Sequence, residues 1–372
     1  MKTPNLFFKD NIRMEKIKHV CLVCFSIFVI AGCAAHNSNI PTTIPTTKDN
    51  NLPTVIEKVR NSVILISSSL NENLQENPKQ NSMCSGAVIE LQYVITNFHC
   101  VYKRKYLRIY FWDREDWNEY KVNVIGLDPL ADLALLEILN KETTTLPLKF
   151  FRGEIKTGEE VFALGHPMGM VWTVTKGIIS STERYSKHPY IKAVQTDAAI
   201  NSGNSGGPLL NMKGEIVGIN AAIISKIKEN AGIGLAIRAD IVENSYKIML
   251  HKGKVDRPAI GVMIAPLIRE IQRKKIAEDQ AEIKIEDIPN TFGLLIIKTE
   301  NMPKGLKVGD AIVGVNGEPI NNGGELAKEL IKYNIGDEVT LTVIRNRLFK
   351  KVKVPLQVFK VPVEKLYNQE TS

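Results

Sequence analysis

The feature that most limits the fold is a series of short β-branched segments between Leu52 and His251, separated by Gly, Asn and Pro. Ser62–Ser67, Gly86–Thr96, Tyr106–Trp112, Leu133–Ile138, Glu160–Leu164, Val171–Ser180 and Glu215–Ala222 each have strand composition. Many short strands bounded by turn residues close into a barrel or pack as a sandwich. Pro53–Asn61 reads as a lead-in helix and Asp240–His251 as a closing helix. Lys252–Pro258 is a charged linker, and a second block, residues 259–362, mixes strands with two helical stretches before a tail, 363–372. There is no clear internal repeat. At roughly 150 residues per domain, a chain of 372 residues holds two or three domains. With 24% charged and 44% hydrophobic residues the composition is globular, which excludes a wholly disordered chain. No apolar run approaches the ~20 residues of a spanning helix, so a polytopic membrane protein is excluded.

The N-terminus reads as an export signal over residues 1–32. Lys16 and Lys18 precede the apolar run Val20 to Ala31, which has signal-peptide length. The run ends in Ile30-Ala31-Gly32-Cys33, where small residues admit a peptidase and Cys33 offers a thiol. This string resembles a bacterial lipoprotein lipobox, which implies cleavage before Cys33 and its acylation. A plain signal peptide or a short anchor is the alternative, and Met14 is an alternative start. Cys21 and Cys24 fall inside the hydrophobic run, so their spacing is a poor redox candidate. Residues 33–51, rich in Asn, Thr and Pro, read as a flexible tether. The formal charge of +8 drops to +5 without the signal, which holds five basic and two acidic residues. That mild excess favours an anionic membrane surface or acidic clients. There is no clustered basic stripe or nucleic-acid motif, so no nucleic-acid partner is expected.

Three sites in the first block carry chemistry. Gly203-Asn204-Ser205-Gly206-Gly207-Pro208 would place a serine on a sharp turn, with backbone N–H groups available to a developing oxyanion. His99 closes the apolar run of Val94-Ile95-Thr96-Asn97-Phe98, where a base can face a cleft. His19, His36, His166, His188 and His251 have weaker contexts: signal, tether, two predicted loops and a helix end. Asp132 directly precedes a buried strand and can point at an imidazole; its rival Asp128 precedes Pro129 and reads as a turn residue. The order His99, Asp132, Ser205 is that of the chymotrypsin-type double barrel, not of α/β-hydrolases or subtilisins.

With these motifs the block resembles the HtrA/Deg family of trypsin-like serine proteases. The matching strings are TNFH at 96–99, DLALL at 132–136, QTDAAIN at 195–201, GNSGGP at 203–208 and GIGLAI at 232–237. The resemblance implies an all-β chymotrypsin-like double barrel over residues 52–251. It also implies catalysis by His99, Asp132 and Ser205, with an oxyanion hole from the N–H groups of Gly203 and Ser205. The residue six before the serine, Ala199, would floor the specificity pocket beside Ile200. No acid stands there to receive Lys or Arg, so cleavage after small or medium apolar residues is expected. Departures are His166, where the family more often has Asn, and Leu235 in place of Phe. The loop Leu70–Ser82 is short, which argues against a long regulatory arm there. In chymotrypsin-like enzymes a disulfide often follows the histidine, and Cys84 and Cys100 are the pair it implies here. Export permits oxidation.

The second block is identified as a PDZ domain by KGLKVGDAIVGVNG at 304–317, with Asn316-Gly317 as a hairpin signal. Ala259-Ile260-Gly261-Val262 resembles the carboxylate-binding loop of that family. Peptide C-termini would dock there, with Leu326 and Leu330 of the helix Gly324–Tyr333 lining the groove. Pro266–Asn290 is helical and highly charged, with no assigned role. The expected whole is a lipid-anchored, envelope-located serine endopeptidase acting on unfolded or membrane proteins. The resemblance further implies a homotrimer and control through the loop Glu183–Tyr190. A chaperone or scaffold that does not cut, and a narrow signalling protease, are the alternatives. No metal or organic cofactor is expected.

Overall fold

A computed structural model describes residues 51–72, 81–113, 116–139, 145–185, 192–221, 232–267, 270–279, 283–298 and 303–359. The signal, Cys33, nearly all of the tether and the tail lie outside the described residues, as do most of the loops 70–82 and 183–190.

The first block opens with helix α1 (Leu52–Val59). Asn51 caps it by accepting from the Thr54 N–H at 3.0 Å, and Val55 and Val59 form its buried face. Two closed barrels of six antiparallel strands follow. The first comprises β1 (Val63–Ser69), β2 (Asn81–Glu90), β3 (Tyr93–Thr96), β4 (Tyr106–Asp113), β5 (Asp116–Asp128) and β6 (Leu133–Ile138). The second comprises β7 (Glu160–Gly165), β8 (Thr173–Tyr185), β9 (Lys192–Thr196), β10 (Pro208–Asn211), β11 (Ile216–Asn220) and β12 (Gly234–Arg238). Each closes in the same strand order, 1-2-3-6-5-4 counted within the barrel. This is the double-barrel class expected from the sequence.

Many strands read as continuous apolar runs because both of their faces are buried. Along β1, Ile64 and Ile66 fill the first barrel with Val88, Val94 and Ile109, while Val63 faces the other way. Val63 joins a core shared by both barrels, with Ile95, Leu133 and Leu135 from the first and Phe162, Leu164, Leu210 and Ile237 from the second. Helix α2 (Ala239–Lys252) seals this shared core with Val242, Tyr246 and Met249. Gly253 ends α2 in the left-handed region, φ 69, and its N–H returns to the Met249 carbonyl at 2.8 Å.

The segment after α2 is fastened to the first barrel rather than free. Leu127 N–H donates to the Gly253 carbonyl at 3.0 Å and Val255 N–H to the Leu127 carbonyl at 3.1 Å. Arg257 reaches back to Asp128, and both are buried.

The second block is a small α+β module. Its sheet runs β14 (Met263–Pro266), β15 (Leu294–Lys298), β16 (Ala311–Val315), β18 (Glu338–Arg345), β19 (Leu348–Pro355), with β17 (Glu318–Pro319) paired to β16. Asn316 and Gly317 turn the chain between β16 and β17 with φ of 49 and 94, as a type I′ turn requires. Helix α4 (Gly323–Leu330) packs on one face of this sheet through Leu326 and Leu330. Helix α3 (Glu270–Asp279) lies in the charged stretch that had no assigned role. Its Ile276 and Ala277 join Leu267, Ile283, Ile288, Leu295 and Ala311 in a second small core. The ribbon β13 (Pro258–Ala259) with β20 (Gln357–Val358) ties the ends of the module together.

Candidate active site

His99 sits in a single helical turn, Phe98–Cys100, just past the end of β3. Asp132 stands directly before β6 with φ 53, a left-handed conformation that Asp tolerates better than most residues. Two hydrogen bonds to its backbone oxygen hold it there, from Phe98 N–H and Asn97 Nδ2, each at 3.0 Å. Its carboxylate is then fully committed to one residue. Oδ1 accepts from the His99 backbone N–H at 3.0 Å and Oδ2 meets His99 Nδ1 at 2.8 Å. Asp132 is 2% exposed, so little water competes for it. An acceptor facing Nδ1 puts the ring proton on Nδ1 and leaves Nε2 with the lone pair that a general base needs. Asp128 is engaged elsewhere. Its carboxylate accepts from both terminal nitrogens of Arg257, from Ser245 Oγ at 2.7 Å and from Ala131 N–H at 3.1 Å.

Ser205 lies in a coiled loop before β10. Asn204 N–H returns to Asn201 O and Gly207 N–H to Asn204 O, both at 3.0 Å, while Gly206 N–H donates to Asn220 O at 2.9 Å. Two glycines are dictated by geometry. Gly203 has φ 96, and a Cβ there would stand 2.5 Å from Pro167 Cα. Gly206 has φ 83, and a Cβ would stand 2.2 Å from Ser85 O and Thr96 Oγ1. The Gly203 N–H has no hydrogen-bond partner among the described residues.

Ser85, on β2 of the other barrel, holds this loop through its N–H and its hydroxyl. Its N–H donates to Ser205 O at 2.8 Å and its hydroxyl to Gly203 O at 2.7 Å. The hydroxyl also accepts from His166 N–H at 2.9 Å, and the carbonyl accepts from Thr96 Oγ1 at 2.8 Å. Next to it, Cys84 is disulfide-bonded to Cys100, S–S 2.02 Å. One covalent link therefore joins the residue before Ser85 to the residue after His99. Cys84, His99 and Cys100 bring their sulfur and nitrogen atoms within 4.8 Å of one another, but the disulfide leaves neither sulfur as a thiolate ligand.

Sequence reasoning did not find Ser85, because an isolated serine inside a strand carries no pattern. His166 lies in the loop after β7 with its ring completely buried. Its Nε2 faces Val63 O at 3.0 Å and its Nδ1 accepts from Trp172 N–H at 3.3 Å, a neutral tautomer with both nitrogens used. Burial pushes its pKa down to about 4. Ala199 and Ile200 lie half-buried on the approach to the serine loop. The Ala199 carbonyl accepts from Thr175 Oγ1 at 2.8 Å. A Cβ on Gly234 would stand 2.5 Å from Ile200 Cγ1, so the absence of a side chain there makes room for Ile200.

Comparison with known proteins agrees with this layout. The chain matches the trypsin-like peptidase domain family over residues 84–219 and the PDZ domain family over residues 268–356. It is 32% identical over 279 residues to the periplasmic serine endoprotease DegP of Escherichia coli, covering 74% of this chain and 56% of that protein. A probable DegP-like periplasmic serine endoprotease of Buchnera aphidicola is 30% identical over 379 residues, covering 93% of this chain and 79% of that protein. The chain belongs to the HtrA/DegP family of serine proteases. Among solved structures, the HtrA-type protease AlgW with decapeptide superposes with a TM-score of 0.68 at 25% identity, over 83% of this chain and 99% of that one. Against the Escherichia coli relative the chain spans little more than half the length.

In HtrA/DegP terms the second module is the PDZ domain. Among the described residues its strand β14 lies at the edge of the sheet, with Met263 exposed. Before it, Ile260 is buried, Gly261 turns with φ 76, and Val262 packs on the domain core. Leu326 and Leu330 are buried in that core, with Val262 and Ile264 packed against it.

Proposed function

We propose that this chain is a serine endopeptidase of the bacterial cell envelope, controlled by peptide C-termini that bind its PDZ domain. One observation carries the reading: the Asp132 carboxylate fixes His99 through two bonds while the serine loop is clamped by Ser85. Ser205 attacks the scissile carbonyl. His99 Nε2 takes its proton and returns it to the leaving amine, and Asp132 stabilises the imidazolium formed between the two steps. The roles are those of the chymotrypsin triad, which serves as the general template. The N–H of Gly203, which meets no acceptor among the described residues, receives the oxyanion together with the N–H of Ser205, a role worth about 100- to 1000-fold in rate per donor. Ala199 and Ile200 offer an apolar, uncharged site to the residue before the cut, so substrates are cleaved after small or medium apolar residues such as Val or Ala.

The periplasmic location of the relatives, together with the signal-like N-terminus, supports an extracytoplasmic enzyme. Acylation at Cys33 tethers it to a membrane through residues 34–51. In the PDZ domain an incoming C-terminus adds a strand beside β14, with its carboxylate on the backbone of Ile260, Gly261 and Val262. A homotrimer, with the loop Glu183–Tyr190 linking peptide binding to the site, is the family's form of this control.

Digestion of casein, with mass-spectrometric mapping of the cut sites, tests the reading. The expected result is cleavage after Val or Ala that rises when an apolar C-terminal peptide is added. Strict cleavage after Lys or Arg refutes the specificity. Inactivity towards casein with cutting of one defined peptide points to the narrow signalling role instead.

A further inference from the structure

The β18–β19 hairpin ends in a tip that neither catalysis nor peptide binding uses. Leu348 and Phe349 stand next to each other there, 64% and 73% exposed. A single exposed leucine needs no explanation, but an adjacent exposed apolar pair beside a hairpin turn does. Around them stand Arg347, Lys350 and Lys351, all exposed and none in an ion pair among the described residues. Two other basic residues of the hairpin are neutralised: Arg345, directly opposite Leu348, pairs with buried Asp310 at 2.6 Å, and Lys353, nearer the base, pairs with Glu338 at 3.2 Å. Among the described residues, Arg347, Lys350 and Lys351 are therefore the hairpin's unpaired cations, and they flank the apolar pair on both sides in sequence.

The tip is also held in shape. Eight consecutive residue pairs join β18 to β19, and Asn346 and Arg347 close the turn with φ of 48 and 62. Arg345 Nη2 further donates to the Gly305 carbonyl at 2.6 Å. Little ordering entropy remains to be lost when such a tip meets a partner.

We propose that this tip docks on an anionic lipid bilayer, with Leu348 and Phe349 entering below the headgroups and Arg347, Lys350 and Lys351 among the phosphates. The chemistry favours a bilayer over other anionic partners. A nucleic acid would use the cations but not the aliphatic Leu348, and an acidic protein would need a matching pocket for a convex apolar pair. An anionic membrane offers negative charge above and hydrocarbon beneath, in that order of depth. Each cation near such a surface strengthens binding about fivefold. The contact is separate from acylation at Cys33 and from peptidase activity, and it would orient a tethered chain.

The test uses the chain from residue 33 onward with Cys33→Ser, so that no acyl chain contributes. It is sedimented with vesicles of phosphatidylcholine alone or mixed equally with phosphatidylglycerol. The expected result is sedimentation with the anionic vesicles only, weakened by added NaCl. The double substitution Lys350→Gln, Lys351→Gln should weaken binding about 25-fold, from two fivefold steps. Leu348→Ser with Phe349→Ser should abolish it while labelling of Ser205 by a fluorophosphonate stays unchanged. As a second readout, Phe349→Trp should add a blue-shifted emission component with anionic vesicles. A chain that stays in the supernatant, equal binding of the serine variant, or a new tryptophan that reports water throughout overturns the proposal.

Discussion

Removal of the Ser85 hydroxyl tests how the barrel interface sets up the catalytic loop. In Ser85→Ala the bond to Gly203 O (2.7 Å) and the bond from His166 N–H (2.9 Å) are both lost. Each leaves a buried backbone group without a partner, at about 1–3 kcal/mol apiece, so roughly 2–6 kcal/mol of stability is lost. The anchor from Ser85 N–H to Ser205 O survives, because it is backbone. The Gly203–Asn204 peptide then loses its anchor, and the adjoining peptide that carries the Gly203 N–H, one Cα away, is held less firmly. Full loss of an oxyanion donor costs about 100- to 1000-fold, and partial misalignment should cost about 10- to 100-fold. The defect should appear in kcat with KM within about twofold, since the hole acts on the transition state. The assay is steady-state cleavage of a Val-containing chromogenic peptide, read beside a thermal melt. Ser62→Ala provides the comparison, because it also removes a serine hydroxyl bond to a backbone carbonyl, that of Leu146, without touching the serine loop. If Ser85→Ala lowers the melting temperature but leaves kcat within twofold of the parent, Ser85 is merely structural and the positioning argument fails.

Other perturbations have equally definite outcomes. Below pH 6.5 the unfolded chain takes up a proton at His166 that the folded chain refuses until about pH 4. Stability should therefore fall by about 3 kcal/mol as pH drops through that window and level off below it; urea midpoints for His166→Asn should lack this part of the pH dependence. Replacing both Cys84 and Cys100 with Ser opens a loop of sixteen positions and should cost about 3 kcal/mol by loop-closure entropy. It should also slow turnover, because Cys84 adjoins Ser85 and Cys100 adjoins His99; reduced and oxidised parent enzyme compared in the same assay give an independent check. Arg257→Ala leaves the Asp128 carboxylate buried without its cation and should cost about 3–5 kcal/mol in chemical denaturation. Arg257→Lys, with a single ammonium in place of the two-pronged contact, should recover only part of that loss.

What the sequence disclosed, and what it hid, follows from the range of the interactions. The strings around His99, Asp132 and Ser205 stood out because they are local and their order fits one architecture, and the structure joins His99 to Asp132. The barrels were legible from their inner strands. The hairpin of β2 and β3 read as one run, Gly86–Thr96, because Leu91 and Gln92 turn the chain without Gly, Pro or Asn. Strand β5 was missed because most of its residues meet solvent and its pattern is polar. Arg257 looked like one more charge in a linker, since nothing local reveals a carboxylate 129 positions earlier. Ser85 and His166 were overlooked for the same reason. Their partners come from the other barrel, and only folding brings them together.

The most direct test of the central claim is the position of a covalent label. The mature chain is treated with a fluorophosphonate, digested and sequenced by mass spectrometry, beside Ser205→Ala and His99→Ala. The account predicts one adduct, on Ser205, absent from the first variant and strongly slowed in the second. An adduct on another serine, or labelling of Ser205 that is indifferent to the loss of His99, contradicts it.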